Sequence, residues 1–142
     1  MTRKRLDRAR RIPSGWFLRG FRQNWHLLRA LAWTVIGRPS PALKAVDASL
    51  AVAPSPQAYP LMFRGRLLEG LGRGDEAEAT YMRAIGIEPD NAEAHLSLAL
   101  FLMARDRLRE AYLELALATR ADPRNRDVRE AVAECSRRMA ER

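Results

Sequence analysis

The sequence has few of the residues on which catalytic and metal sites depend. Among its 142 residues there is one cysteine, Cys135, and there are two histidines, His26 and His95. A single cysteine excludes an intrachain disulfide, so the fold must be stabilised by packing, which suits a reducing compartment. The two histidines are far apart and lack metal-ligand spacing. The glycines of residues 70–74 are not followed by the Lys and Ser/Thr of a phosphate-binding loop. We therefore expect neither catalysis nor a cofactor.

Long uncharged apolar runs are also missing. No stretch reaches the length of about 18 apolar residues that crosses a bilayer. The best candidate, Ala30 to Gly37, is too short, and the basic region before it is too long for a signal peptide. An Arg-rich transit peptide is the alternative, although hydroxyl residues are few. Because arginine greatly outnumbers lysine, we infer a GC-rich, bacterial source. We expect a cytoplasmic chain without a transmembrane helix, and association with a membrane is the alternative.

Acidic residues are nearly absent from the first 40 positions. These positions contain ten Arg and Lys residues and one acid, Asp7, whereas residues 41–142 contain 15 cations and 16 acids. Six of the ten cations form a basic arm over residues 1–13, namely Arg3, Lys4, Arg5, Arg8, Arg10 and Arg11. A basic arm on a nearly neutral body indicates an anionic partner for the arm.

Helical periodicity is present along most of the chain. Over residues 15–37 apolar residues recur every three or four positions, which predicts a helix. Ser40 is expected to cap the next helix, with Pro41 at its first position. Further helices are expected near residues 57–72, 75–87, 91–105, 107–121 and 125–141. No segment alternates with period two, so the predicted fold class is all-α.

Two of these helices have candidate capping boxes at their starts. Asp75 with Glu78, and Asp90 with Glu93, have the spacing in which an acidic or hydroxyl cap is followed three residues later by Glu. We expect Asp75 and Asp90 to be the N-terminal caps.

Residues 58–91 and 92–125 are two copies of one pattern. At an offset of 34, identical residues pair as Ala58/Ala92, Leu68/Leu102, Arg73/Arg107, Glu76/Glu110, Ala77/Ala111, Ala84/Ala118, Pro89/Pro123 and Asn91/Asn125. A fixed offset of this length indicates stacked helical hairpins. Gly65 and Ala99 stand midway along the first helices, where a large side chain would push the partner helix away.

This pattern resembles the tetratricopeptide repeat (TPR). The small residues and the proline that the family requires are matched by Gly65, Ala77, Ala84 and Pro89, and in the next copy by Ala99, Ala111, Ala118 and Pro123, while Tyr81 and Leu115 fill the space between the small residues. The resemblance implies an α-solenoid, a right-handed stack of helical hairpins. Its expected parts are a basic flexible arm over 1–13, an aromatic, Arg-rich helix and degenerate first hairpin over 14–56, two repeats over 57–125 and a capping helix over 126–142.

The resemblance also implies a partner-binding groove. In this family the first helix of each hairpin lines the concave side, and the corresponding residues here are Tyr59, Met62, Phe63, Arg66, Glu69, Glu93, Leu96, Leu100 and Met103. The apolar members would form one strip that accepts an apolar helix or extended segment. The implied function is that of a non-enzymatic scaffold or adaptor of a larger assembly. The groove would be occupied by a partner protein or peptide, or by a neighbouring copy of the chain in an oligomer.

Some family members use a cationic clamp to hold a C-terminal carboxylate. The matching positions here are Met62, Arg66, Ser97, Asp127 and Ala131. Only Arg66 is basic, and Asp127 would repel a carboxylate. The sequence therefore argues against a co-receptor for chaperone tails.

The segment after the arm is a second candidate contact surface. Its aromatic and basic residues are interleaved, and the contact candidates are Trp16, Phe17, Arg19 and Arg22, together with the six cations of the arm. Such a segment suits an anionic membrane surface or a membrane protein, and nucleic-acid phosphates are a further alternative. The simplest alternative is structural, with Phe21, Trp25 and Leu28 in the core of the first hairpin.

Overall fold

The computed structural model describes residues 14–53, 55 and 57–141, and their side chains from Trp25 onward. These residues form seven α-helices: α1 (Ser14–Val35), α2 (Pro39–Val52), α3 (Ala58–Gly70), α4 (Gly74–Ile87), α5 (Ala92–Ala104), α6 (Leu108–Ala121) and α7 (Arg126–Ala140). All regular structure in these ranges is helical, which confirms the all-α fold class. Within them no helix is both long enough and apolar enough to span a bilayer.

The chain divides into two compact units, Met1–Pro56 and Gln57–Arg142. In the first unit α1 packs against α2, and the buried side chains of α2 include Leu43 and Val46. Helix α2 begins at Pro39, and its N-cap Arg38 makes no side-chain cap hydrogen bond. The expectation that Ser40 caps this helix was wrong. Pro39 starts it instead, because the fixed φ of proline suits the first turn, where its missing N–H needs no partner.

The second unit consists of two helical hairpins and a terminal helix. Helix α3 packs against α4, α5 packs against α6, and α7 packs against α6 and α5. The small repeat residues are buried in these contacts: Gly65, Ala77, Ala84, Ala99, Ala111 and Ala118. Tyr81 and Leu115 are fully buried beside them. Close helix packing therefore depends on the residues that the 34-residue offset picked out.

Asparagines, not aspartates, cap the helices that open the later units. Asn91 Oδ1 accepts hydrogen bonds from the backbone N–H groups of Glu93 and Ala94, at 3.0 and 3.2 Å. Asn125 caps α7 in the same way. Asp90 as a cap was therefore wrong by one residue, because the Asn91 amide oxygen satisfies the exposed N–H groups.

The second expected capping box is also absent. Helix α4 already begins at Gly74, and its N-cap Arg73 makes no side-chain cap hydrogen bond. Asp75 therefore lies inside the first turn, where its charge suits the helix dipole. Glu78 does not reach back to a cap, because its carboxylate is bound by Arg107.

Candidate protein-interaction surface

The nine expected groove residues lie on the first helices of the two hairpins, α3 and α5. Five of them are exposed: Tyr59, Arg66, Glu69, Glu93 and Leu100. Phe63 is half-buried, whereas Met62, Leu96 and Met103 are buried. A continuous open apolar strip was therefore a wrong expectation. The first helices contact one another, α3 with α5 and α5 with α7, and packing at such contacts removes side chains from water.

The exposed apolar groups of this set are Tyr59 and Leu100. They expose 60% and 49% of their surface, respectively. Each lies on a first helix whose other apolar side chains are mostly buried. An occupant would therefore meet two separate apolar contacts on α3 and α5, with Arg66 as the cation of the set.

The two acids of the set are hydrogen-bonded to other helices. Glu69 accepts a short hydrogen bond from the Tyr81 hydroxyl of α4, and Glu93 Oε1 accepts one from Asn125 Nδ2 at 3.0 Å. Burial raises the pKa of Tyr81, and the hydrogen bond to Glu69 raises it further. Tyr81 is therefore a neutral donor at ordinary pH, and both acids help to position helices.

His95 has a structural position that the sequence did not reveal. It is buried on α5. Its Nδ1 lies 2.8 Å from Glu114 Oε2 of α6, and its Nε2 lies 2.9 Å from the carbonyl oxygen of Pro89. The imidazole thus links α5 to the preceding turn and to its partner helix. No group of three or more metal-ligating side chains occurs among the described residues.

The positions of the carboxylate clamp offer a single cation. Met62, Ser97 and Ala131 are buried, whereas Arg66 and Asp127 are exposed. An anionic chain end at this place would meet one guanidinium and one carboxylate. The geometry gives no charge-based reason to prefer such a ligand.

Helix α1 has an exposed apolar face. Its large exposed side chains are Trp25, Leu28, Leu31, Val35 and, just beyond the helix, Ile36, and Val35 is 87% exposed. Core packing of Trp25 and Leu28 was therefore a wrong expectation, since α2 covers another face of the helix. The arm cations and the side chains of Trp16, Phe17, Arg19, Phe21 and Arg22 lie outside the described residues.

The chain is similar to known tetratricopeptide-repeat domains. A family model described as tetratricopeptide repeat matches residues 68–135. The TPR domain of Arabidopsis OM64 is 16% identical, with a TM-score of 0.74, over 84% of this chain and 98% of that one. The TPR2B domain of yeast Sti1, from a complex with pHsp70, is 20% identical, with a TM-score of 0.73, over 83% and 98%. The Sgt2 TPR domain from Aspergillus fumigatus is 16% identical, with a TM-score of 0.75, over 84% and 80%. No curated protein matches the sequence.

Proposed function

We propose that this chain, whose residues 68–135 belong to the tetratricopeptide-repeat family, is a scaffold or adaptor that binds a segment of a partner protein on helices α3 and α5. Such domains are protein-interaction modules, and the Sti1 domain above is similar in fold and was solved with pHsp70. The observation that supports the proposal most directly is the exposure of Tyr59 and Leu100 on these first helices. Because α3 and α5 contact one another, one partner segment that runs across both helices can meet both side chains.

The surface also indicates the chemistry of the segment. Tyr59 and Leu100 favour apolar side chains, while Arg66 can pair with a carboxylate or a backbone carbonyl. Glu69 and Glu93 already accept hydrogen bonds within the fold. We therefore favour an internal apolar segment over a free carboxyl terminus. A cytoplasmic location belongs to this proposal.

The test uses substitutions at exposed positions only. The double variant Tyr59→Ser, Leu100→Ser should lose most partner capture in a pull-down followed by mass spectrometry. Its melting curve should stay close to native, because about half or more of each side chain is already exposed to water. Tyr112→Ser is the matched control, since Tyr112 is exposed on α6 instead of a first helix. Equal capture by the double variant and the control would refute a role for this surface.

A second candidate function is a peripheral membrane tether, and the exposed face of α1 favours it. Apolar side chains that include Trp25 and Val35 lie on a helix preceded by the basic arm. This combination suits an interface between anionic headgroups and acyl chains. Nucleic-acid phosphates could also attract the arm, but they offer no counterpart to the aliphatic face.

Vesicle sedimentation tests the tether. The full chain should co-sediment with phosphatidylserine-containing vesicles and not with pure phosphatidylcholine vesicles, more strongly at low salt because screening is weaker there. Deleting residues 1–13 and substituting Val35→Asp should each reduce binding. Recovery of equal amounts with both vesicle types, or no loss in either variant, would exclude the tether.

A further inference from the structure

The second helices α4 and α6 border an apolar groove that is separate from the surface on the first helices. Its floor is formed by Leu98 and Leu102 of α5, which are buried. Its walls are formed by Met82 and Ile85 of α4 and by Leu113 of α6. The groove has a volume of about 290 Å³. Met82 and Leu113 expose 60% and 65% of their surface, so both walls offer apolar area to a partner.

The rim of the groove is acidic. Three carboxylates line it, those of Glu78, Glu110 and Glu114, and Arg107 is the guanidinium among the lining residues. His95 also contacts the rim, because its Nδ1 lies 2.8 Å from Glu114 Oε2. Among the lining residues and His95, three negative charges stand against one or two positive ones, so their sum is negative in either protonation state of His95.

Arg107 holds the two walls together. Its Nη1 donates to both carboxylate oxygens of Glu78 on α4, at 2.8 and 2.7 Å. Its Nε and Nη2 donate to the carboxylate of Glu110 on α6, both at 2.7 Å. These bonds lower the pKa of Glu110 and raise that of Arg107. The groove is thus preformed, which reduces the entropy lost when a ligand binds.

We propose that this groove binds an amphipathic helix of a partner protein that has an apolar stripe flanked by arginine or lysine. The apolar stripe would cover Met82 and Leu113 between the two walls, as a helix does in a hydrophobic groove. Its cations would be attracted by the net negative charge that the rim keeps when Arg107 has paired with Glu78 and Glu110, whereas an acidic helix would be repelled. Since the groove lies on the second helices, the protein can hold this ligand together with a segment on α3 and α5.

The binding test uses a defined probe and the full chain. The probe is a fluorescein-labelled synthetic helix with leucine at positions i, i+3, i+4 and i+7 and arginine beside them. Its control has glutamate in place of every arginine. Fluorescence anisotropy should give a dissociation constant at least roughly tenfold lower for the arginine peptide, because it alone matches the charge of the rim. Equal affinity for the two peptides would overturn the charge assignment.

Variants then locate the site. Met82→Ser with Leu113→Ser should weaken binding of the arginine peptide by roughly tenfold or more, since both apolar walls are reduced. Tyr112→Ser, on the same helix but outside the groove, and Leu100→Ser, on the other surface, should leave it unchanged. Thermal melts check that each variant folds. Undiminished binding to the double variant would refute the site.

One further measurement identifies the alternative occupant. A second copy of this chain could also cover the groove, and sedimentation velocity distinguishes the two cases. The proposal requires that the oligomeric state is the same for the native chain and for Met82→Ser with Leu113→Ser. A dimer that the double variant abolishes would assign the groove to a second copy and overturn the proposal.

Discussion

Gly65 of α3 and Tyr81 of α4 are in such close contact that a Cβ atom on Gly65 would lie 2.5 Å from Tyr81 Cε1. The tyrosine ring is buried, and its hydroxyl is held by Glu69, which lies one turn further along α3 than Gly65. The ring therefore has little freedom to move away. The missing side chain at position 65 sets the separation of the two helices in this hairpin.

Gly65→Ala should consequently destabilise the protein. Alanine is favoured over glycine in a helix by about 0.5–1 kcal/mol, but overpacking against the fixed ring should cost about 1–3 kcal/mol. Gly86→Ala is the matched control, because a Cβ there would meet nothing within 4 Å, and it should stabilise α4. Urea unfolding of both variants measures the difference. Equal midpoints for the two would contradict the close contact.

Large side chains at the small positions of the second helices should also be destabilising. Ala84 and Ala118 are fully buried, so Ala84→Trp and Ala118→Trp should each cost about 1–3 kcal/mol or more. Ala116→Trp is the control, since Ala116 is exposed on the same helix as Ala118. In thermal melts, the melting temperature of Ala116→Trp should be close to that of the native chain. Unaltered melting temperatures for both buried variants would show that the hairpin registration is incorrect.

Removal of the asparagine caps should weaken α5 and α7. Asn91→Ala and Asn125→Ala each remove a side chain that accepts two backbone hydrogen bonds, and such a loss costs about 1 kcal/mol. The two losses should be similar, because each variant also removes an amide donor, from Asn91 to Glu88 or from Asn125 to Glu93. Asp90→Ala, next to the true cap, serves as the control. Chemical denaturation should show a clear loss for the asparagines and a smaller change for Asp90.

Stability should fall in acid partly through Glu88. Its carboxylate accepts hydrogen bonds from the Ala58 backbone N–H and from Asn91 Nδ2. Both bonds lower the pKa of Glu88, and the bond from the Ala58 backbone has the larger effect. A lowered folded-state pKa means that this stabilisation is present above the ordinary carboxyl value of about 4.3 and is lost as pH falls further. Glu88→Gln should therefore be less stable than the native chain at neutral pH. Thermal melts at a series of pH values should show that the stability difference between the two proteins becomes smaller as pH falls below about 4.3. A stability difference that does not change with pH would contradict this role of Glu88.

Much of the helical architecture could be predicted from local pattern. The expected helix near residues 107–121 is observed as Leu108–Ala121. Its prediction succeeded because the apolar periodicity and the following proline are local signals, which depend only on residues close in sequence. The residues that cap the helices were harder to predict. Asn91 and Asn125 were visible as an identical pair, yet Asp90 matched the cap pattern better, and only the backbone conformation shows which oxygen reaches the free N–H groups.

The sequence by itself determined the repeat, since small residues spaced 34 apart are a steric requirement of close helix pairs. Only the tertiary structure decided which side chains remain open to a partner. Leu96 and Leu100 were equivalent groove candidates, but Leu96 is buried and Leu100 is exposed. His95 likewise gained its role only when Glu114 and Pro89 came within hydrogen-bond distance. Exposure and such contacts depend on neighbouring helices that are distant in sequence, so no local pattern could supply them.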